Sequence, residues 1–289
     1  ENALMTNIRS LARAAEDAGV SLAPHGKTTM SPQIFDLQLT AGAWGITLAT
    51  MHQAAIAAQF GVPRILLANS VTADADISRL ARLHPSTEII VTSDSVGHAR
   101  RLATRLTAWG VQTPVPVLVE FGIPNQRSGC RTLDEVKAVL DEIMQHPQAL
   151  VPAGVLGYEG LLETGNRDEE AGSVQRWLGQ LSQAAELVAT TPLYKNECII
   201  SAGGSAFLDI VLDFMSAFRP AWRHRHVLRS GCAVVHDDGW YAGFAQAVKE
   251  RGSHHIPLQS ALELWAVVQG RPEPDLCILS FGKRDCPYD

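Results

Sequence analysis

The chain has 289 residues, of which 46% are hydrophobic and 19% are charged, so its composition excludes a disordered protein. Its formal net charge of −6 argues against a surface that binds nucleic acid. No apolar run approaches the roughly 18 residues of a membrane-spanning helix, and residues 1–20 lack the layout of a secretory signal.

Segments typical of helices and of strands alternate along the chain. The first helix is predicted over 2–18 and the first strand over 20–26, and Ser31 and Pro32 have the pattern of an N-cap followed by a first helical residue. Further strands are predicted over 45–49, 64–68, 88–92, 115–121, 154–158, 198–202 and 226–229. Further helices are predicted over 34–41, 51–60, 73–83, 95–108, 132–145, 168–189 and 204–217.

Alternation of this kind predicts an α/β fold of parallel strands with right-handed crossovers. Eight strand–helix steps favour a closed (β/α)8 TIM-type barrel over an open doubly wound sheet. The open sheet is also disfavoured because no Gly-x-Gly-x-x-Gly motif lies between a strand and a helix.

The pattern changes after residue 235. A helix is predicted over 240–250, and strand or mixed structure over 254–268 and 276–280. These residues are too few for an independent core. We therefore predict a barrel over 1–235 and an incomplete segment of a second, β-rich domain over 236–289.

The cysteines indicate the redox environment. They number five, lie apart and form no Cys-x-x-Cys pair: Cys130, Cys198, Cys232, Cys277 and Cys286. Such a set is typical of reduced thiols, so we expect a cytoplasmic protein.

Active sites of parallel barrels lie at the carboxyl ends of the strands. The first strand ends in His25-Gly26-Lys27-Thr28, so Lys27 is expected at the mouth of the barrel. Burial disfavours the charged form of an amine, and the neutral form is the one that attacks a carbonyl group. The alternative is a solvated lysine on the rim. A phosphate-binding Gly-x-x-x-x-Gly-Lys-[Ser/Thr] loop is rejected because position 21 is Ser.

Four other strand ends carry candidate residues. Arg127, after the fifth predicted strand, could bind a substrate carboxylate or form a surface ion pair. Tyr158, in Gly157-Tyr158-Glu159-Gly160, could pack on a planar ligand or within its own loop. The seventh and eighth strands end in Gly203-Gly204-Ser205 and Gly231-Cys232, and such turns present backbone N–H groups to phosphate. An amine opposite a phosphate cup predicts pyridoxal 5′-phosphate (PLP) as cofactor.

The motif Pro24-His25-Gly26-Lys27-Thr28-Thr29, together with the barrel pattern, resembles the fold type III (alanine racemase-like) PLP enzymes. Within them, residues 1–235 are similar to the branch of D-serine dehydratase, D-threonine aldolase and amino-acid deaminase, which carries Pro-His-x-Lys-Thr on its first strand. The resemblance implies that Lys27 forms the Schiff base with PLP and that His25 and Tyr158 lie beside the cofactor.

The resemblance also implies roles for the later strand ends. Gly203, Gly204 and Ser205 match one phosphate loop, and Gly231 and Cys232 match a second. Arg229 falls where racemases place an arginine near the pyridine nitrogen, and Arg127 aligns with a racemase arginine near the substrate.

Two departures from the racemase pattern bear on the reaction. Glu120 stands where racemases have a lysine, which argues against two-base racemisation. The dehydratase and aldolase branch uses a divalent metal such as zinc, held by a His-x-Cys or His-x-Asp pair that we expect beyond this sequence. His236-Asp237-Asp238 and His254-His255 are interpreted as loop and surface residues.

The expected activity is that of a PLP-dependent lyase. It would convert a D-serine-like β-hydroxy amino acid into a keto acid and ammonia. The alternatives are retro-aldol cleavage of the D-threonine aldolase type, an amino-acid racemase and a PLP-binding protein without turnover. The resemblance further implies a homodimer. The net charge and the lack of a long apolar run argue against nucleic acid and membrane as partners.

Overall fold

The computed structural model describes residues 2–252, 254 and 256–285. A sheet of eight parallel strands is surrounded by helices, in the order β1-β8-β7-β6-β5-β4-β3-β2. Its strands are β1 (Ser21–Leu22), β2 (Ile46–Leu48), β3 (Arg64–Leu67), β4 (Glu88–Ser93), β5 (Val115–Phe121), β6 (Leu150–Gly157), β7 (Cys198–Ala202) and β8 (His224–Leu228). The helices between and around them are α1 (Asn2–Asp17), α2 (Pro32–Thr40), α3 (Met51–Gln59), α4 (Asp74–Leu83), α5 (Val96–Ala108), α6 (Leu133–Met144), α7 (Arg167–Ala189) and α8 (Leu208–Ala217).

Backbone hydrogen bonds between the first and second strands close the sheet into a ring. Trp44 N–H donates to Leu22 O over 2.7 Å, Thr47 N–H to Pro24 O over 2.9 Å, and Gly26 N–H to Thr47 O over 2.7 Å. The predicted (β/α)8 barrel is therefore confirmed.

Alternate residues of each strand face two different apolar cores. Leu66, Ile90 and Leu118 belong to a small cluster inside the barrel, whereas Ile65 and Val91 belong to the larger core between the strands and the helices. Both faces of the strands are buried, as is usual for parallel sheets.

Several elements begin elsewhere than predicted. The regular part of β1 is two residues long, although Ala23 and His25 continue its pairing by donating to Leu228 O and Arg229 O. The helix predicted from 204 begins at Leu208, because Gly203, with φ of 101°, bends the chain before it. Ser31 caps α2 and Pro32 is its first residue, as predicted.

Beyond residue 235 the chain forms helix α9 (Trp240–Arg251) and an antiparallel hairpin of β9 (Val268–Glu273) and β10 (Leu276–Leu279). Strand or mixed structure was predicted over 254–268, and residues 256–267 have no regular structure before β9 begins. The predicted domain boundary at 235 stays a prediction. Cys286 and His255 lie outside the described residues.

None of the helices in the described ranges combines the length and the apolarity needed to cross a bilayer.

A candidate active site at the mouth of the barrel

A cavity of about 890 Å³, part of it open to solvent, lies at the carboxyl ends of the strands. Its lining includes every residue that the sequence analysis assigned to the site, namely His25, Lys27, Arg127, Tyr158, Gly203, Gly204, Ser205, Arg229, Gly231 and Cys232. The parallel barrel brings these residues together because all its strands end at the same mouth.

Lys27 lies on the rim of the cavity and its side chain is exposed. Of the two alternatives from the sequence, the solvated lysine on the rim matches this environment. Lys27 is not buried, although burial was expected. Gly26 before it runs so close to Phe35 of α2 that a Cβ atom would collide with the ring. Within residues 2–252, 254 and 256–285, the Lys27 amine has no hydrogen bond or ion pair, so it is free to react.

His25 supplies a neutral ring to the same cavity. Burial, followed by the charges of Lys27, Arg229 and Arg127, lowers the pKa of His25 to about 3. The ring is therefore uncharged near pH 7. Its Nδ1 atom is buried without a hydrogen-bond partner, which is costly unless a ligand supplies one.

Glu159 organises the loop after β7. Its carboxylate is fully buried and accepts hydrogen bonds from Gly203 N–H over 3.0 Å and from Gly204 N–H over 2.5 Å. Ser230 Oγ donates to Gly204 O over 2.6 Å and fixes the other side of the loop. Gly203 and Gly204 were predicted to bind phosphate. Their N–H groups instead donate to the buried Glu159 carboxylate, which these hydrogen bonds stabilise.

Three other backbone donors remain for an anion. The N–H groups of Ser205, Gly231 and Cys232 donate to no atom among the described residues, and all three residues line the cavity. A Cβ atom at Gly231 would collide with the backbone of His25, so only glycine lets the ends of β1 and β8 approach this closely. Converging unpaired N–H groups are suited to a phosphate.

Arg229 is held rigidly beneath these loops. Its Nε atom donates to Ser201 Oγ over 2.9 Å and its Nη2 atom donates to the carbonyl of Gly157. Full burial lowers the pKa of Arg229, while the charges of Glu159 and Glu120 oppose that shift.

Glu120 is the one acidic side chain that lines the cavity within the described part of the chain. Its Oε1 atom accepts from Ser128 Oγ over 3.0 Å, while its Oε2 atom is buried without a partner. Burial raises the pKa of Glu120, and the charge of Asp94 adds to that shift. The hydrogen bond from Ser128 and the charges of Arg229 and Arg127 oppose it.

Arg127 and Tyr158 border the open side. Arg127 is exposed, and its Nη2 atom donates to Asn69 Oδ1 over 3.3 Å. The Tyr158 ring lies against Gly160 and Gly204, where a Cβ atom would collide with it. Burial and the adjacent Glu159 charge raise the pKa of Tyr158.

Glu159, Asn69 and Ser128 were not predicted from the sequence as site residues. The available signal for Glu159 was its place in Gly157-Tyr158-Glu159-Gly160 at the end of a strand. Asn69 likewise follows the third strand. Neither position indicates by itself which distant group the side chain contacts.

The histidine and acidic residues after residue 235 contact one another's loops or helix α8. Ser260 Oγ lies 3.5 Å from His236 Nδ1 and donates to Asp238 Oδ1. His254 Nε2 lies 2.9 Å from Asp213 Oδ1. Among the described residues, no group of three or more His, Cys, Asp or Glu side chains is placed to hold a metal ion.

Comparison with known proteins shows two related curated sequences. The chain is 24% identical over 277 residues to a D-threonine aldolase of an Arthrobacter species, covering 96% of this chain and 68% of that protein. It is 26% identical over 208 residues to a 3-hydroxy-D-aspartate aldolase of Paracoccus denitrificans, covering 71% of this chain and 52% of that protein. No family model matches the chain.

Solved structures share its architecture. D-threonine aldolase from Filomicrobium marinum superimposes with a TM-score of 0.82 at 24% identity, covering all of this chain and 73% of that structure. D-threo-3-hydroxyaspartate dehydratase from a Delftia species gives a TM-score of 0.65 at 23% identity, covering 87% of this chain and 61% of that structure. Alanine racemases share the same fold. The chain thus has the fold that D-threonine aldolase, D-threo-3-hydroxyaspartate dehydratase and alanine racemase share.

Proposed function

We propose that the protein is a PLP-dependent lyase that acts on a D-β-hydroxy amino acid. The observation that carries this proposal is one shared cavity. The free amine of Lys27 lines the same space as the unpaired N–H groups of Ser205, Gly231 and Cys232. An amine for an aldehyde and N–H groups for a phosphate are the two attachments that PLP requires.

The residues present fit PLP. Lys27 would hold its aldehyde carbon, and the N–H groups of Ser205, Gly231 and Cys232 would hold its phosphate. The neutral ring of His25 lines the same cavity. When bound, PLP supplies an electron sink for bond breaking at the substrate α-carbon.

The remaining side chains have roles toward the substrate. The exposed guanidinium group of Arg127 would bind the substrate carboxylate through two parallel hydrogen bonds. The Nζ atom of Lys27 would accept and return a proton at the substrate, as an amine can in general acid–base catalysis. Arg229, fixed by Ser201 and Gly157, would keep a positive charge beside the cofactor.

Two reactions are compatible with this site. Dehydration, the first expectation from the sequence, expels the β-hydroxyl group and yields a keto acid and ammonia. Retro-aldol cleavage breaks the Cα–Cβ bond and yields glycine and an aldehyde. Retro-aldol cleavage is the second candidate. It is supported by the names of both curated relatives, which are aldolases.

Product analysis distinguishes the candidates. The purified protein, supplied with PLP, is incubated with D-threonine and with D-serine, with and without a metal chelator. An aldolase forms glycine and acetaldehyde from D-threonine, whereas a dehydratase forms 2-oxobutyrate from D-threonine and pyruvate from D-serine, each with ammonia. Interconversion of the D and L forms of the amino acid without these products would indicate a racemase. No conversion of any D-amino acid would indicate a PLP-binding protein without turnover.

A lysine variant tests the assignment of the amine. Lys27→Met removes the amine at similar length, and we expect turnover to fall by about 10³-fold or more. Lys137→Met is the control, because Lys137 is an exposed lysine on α6 and its loss leaves the cavity intact. Unchanged turnover in Lys27→Met would overturn the proposed function.

A further inference from the structure

The cavity offers few charges to a substrate. Its described lining holds three cations, Lys27, Arg127 and Arg229, and one carboxylate, Glu120. His25 adds no charge near pH 7 because its pKa lies near 3. The number of negative charges that a bound substrate can carry is therefore limited by the number of these cations that are free to pair with them.

Two of the cations are already committed. Arg229 is buried and donates to Ser201 and to Gly157. Lys27 is joined to PLP under the proposed function, on which this inference rests. Arg127 remains, with the neutral Asn69 as its hydrogen-bond partner. One guanidinium group binds one carboxylate bidentately, and the α-carboxylate of the substrate takes that place.

Glu120 makes a second substrate carboxylate costly. Its Oε1 atom already accepts from Ser128 Oγ and its Oε2 atom is buried without a donor, so the ionised side chain offers a second carboxylate no donor to pair with. Burial and the charge of Asp94 disfavour a negative charge at this position, which raises the pKa of Glu120. A substrate carboxylate brought beside Glu120 would meet the same burial and the same repulsion from Asp94.

We propose that Glu120 is a specificity-determining residue that selects D-β-hydroxy amino acids with an uncharged β-substituent and rejects those with a second carboxylate. The curated relatives are named for substrates that differ in this feature. The β-substituent of threonine is a methyl group, and that of 3-hydroxyaspartate is a carboxylate.

Steady-state kinetics test this selection. We expect the wild-type protein to favour D-threonine over D-threo-3-hydroxyaspartate by at least about tenfold in kcat/KM. Glu120→Gln keeps the size of the side chain and removes its charge, and we expect it to narrow that ratio by about tenfold. The matched control is Glu186→Gln, because Glu186 lies exposed on α7 and its loss should leave the ratio unchanged.

A binding measurement covers the case in which Glu120→Gln lowers turnover as a whole. D-alanine and D-aspartate lack the β-hydroxyl group, and their binding to the PLP-loaded protein is followed by the absorbance change of the cofactor. We expect D-alanine to bind more tightly than D-aspartate in the wild type, and we expect the difference to shrink in Glu120→Gln.

The outcomes separate the two proposals. Turnover with a preference for the dicarboxylic substrate, or equal ratios in wild type and Glu120→Gln, would overturn the role of Glu120 and leave the proposed function standing. Absence of turnover on both substrates, with neither amino acid altering the cofactor absorbance, would contradict the proposed function itself.

Discussion

At the scale of single residues, Glu159 has the place that a bound anion would take in a glycine-rich loop. Its two oxygens accept from Gly203 N–H and Gly204 N–H, at a site without solvent exposure. The loop is thereby shaped before any ligand binds. Preorganisation of this kind reduces the entropy that a ligand must remove on binding.

We predict that Glu159→Ala lowers the free energy of unfolding by about 2–4 kcal/mol, because one buried and one partly buried N–H group lose their acceptor. PLP affinity falls as well, since the loop is no longer held. Glu159→Gln keeps one acceptor oxygen and loses less. Urea unfolding and PLP titration measure both effects, with the exposed Glu186→Ala as control. Equal urea midpoints for wild type and Glu159→Ala would contradict the assigned role.

At the scale of the element, β6 shows how a local irregularity determines where a strand begins. Residues 150–152 pair with β5 alone, Ala153 is skipped in the pairing, and pairing with β7 begins at Gly154. The register to β5 shifts between Val117 and Leu118 at the same level. The strand was predicted to begin at 154, whereas it begins at Leu150. Pro152, which has no N–H group to donate, lies where β6 has no β7 partner.

Gly154 has a φ of 140°, and a Cβ atom there would collide with the backbone of Ile199. We predict that Gly154→Ala lowers the free energy of unfolding by about 2 kcal/mol or more. Gly179 lies inside α7 with open space around it, so Gly179→Ala should stabilise the protein by about 0.5–1 kcal/mol. Thermal unfolding of Gly154→Ala and of Gly179→Ala measures both changes in stability. A stable Gly154→Ala protein would show that β6 can shift its register.

The starts of two helices were predicted to within one residue. Ser95 and Thr132 were predicted as the first residues of two helices, but each lies one position earlier as an N-cap, accepting from the backbone N–H three residues on. The pattern of polar cap and apolar periodicity predicts such an element to within one residue because both signals are local.

At the scale of the whole molecule, buried neutral histidines link folding to pH. Burial, with the charges of His224 and Arg219, lowers the pKa of His226 to about 4, and the pKa of His25 is lowered to about 3. Both return to about 6.5 in the unfolded chain. Between these values the unfolded state binds more protons than the folded state, so stability rises with pH.

We predict that the free energy of unfolding falls as the pH is lowered from 6.5 towards 4, by at most about 1.4 kcal/mol per pH unit for each histidine. His226 packs against Phe218, with ring centroids 6.0 Å apart, and His226→Phe should flatten this dependence. His52→Gln, at an exposed position on α3, is the control. Urea unfolding at pH 7, 6, 5 and 4 gives the slopes, and identical slopes in wild type and His226→Phe would exclude His226 as a contributor.

By itself the sequence determined the alternation of strands and helices and hence the barrel. The same pattern placed Lys27, Arg127 and the loops at 203–205 and 231–232 at strand ends. These features follow from local periodicity and from the rule that parallel strands end on one side.

Only the tertiary structure decided which groups those residues contact. Glu159 accepts a hydrogen bond from the N–H group of Gly203, which lies 44 residues away in the sequence. Glu120 keeps one oxygen without a partner, and Lys27 stays exposed on the rim. Such contacts depend on the distances between separate strand ends in the closed ring, and local sequence periodicity carries no information about those distances.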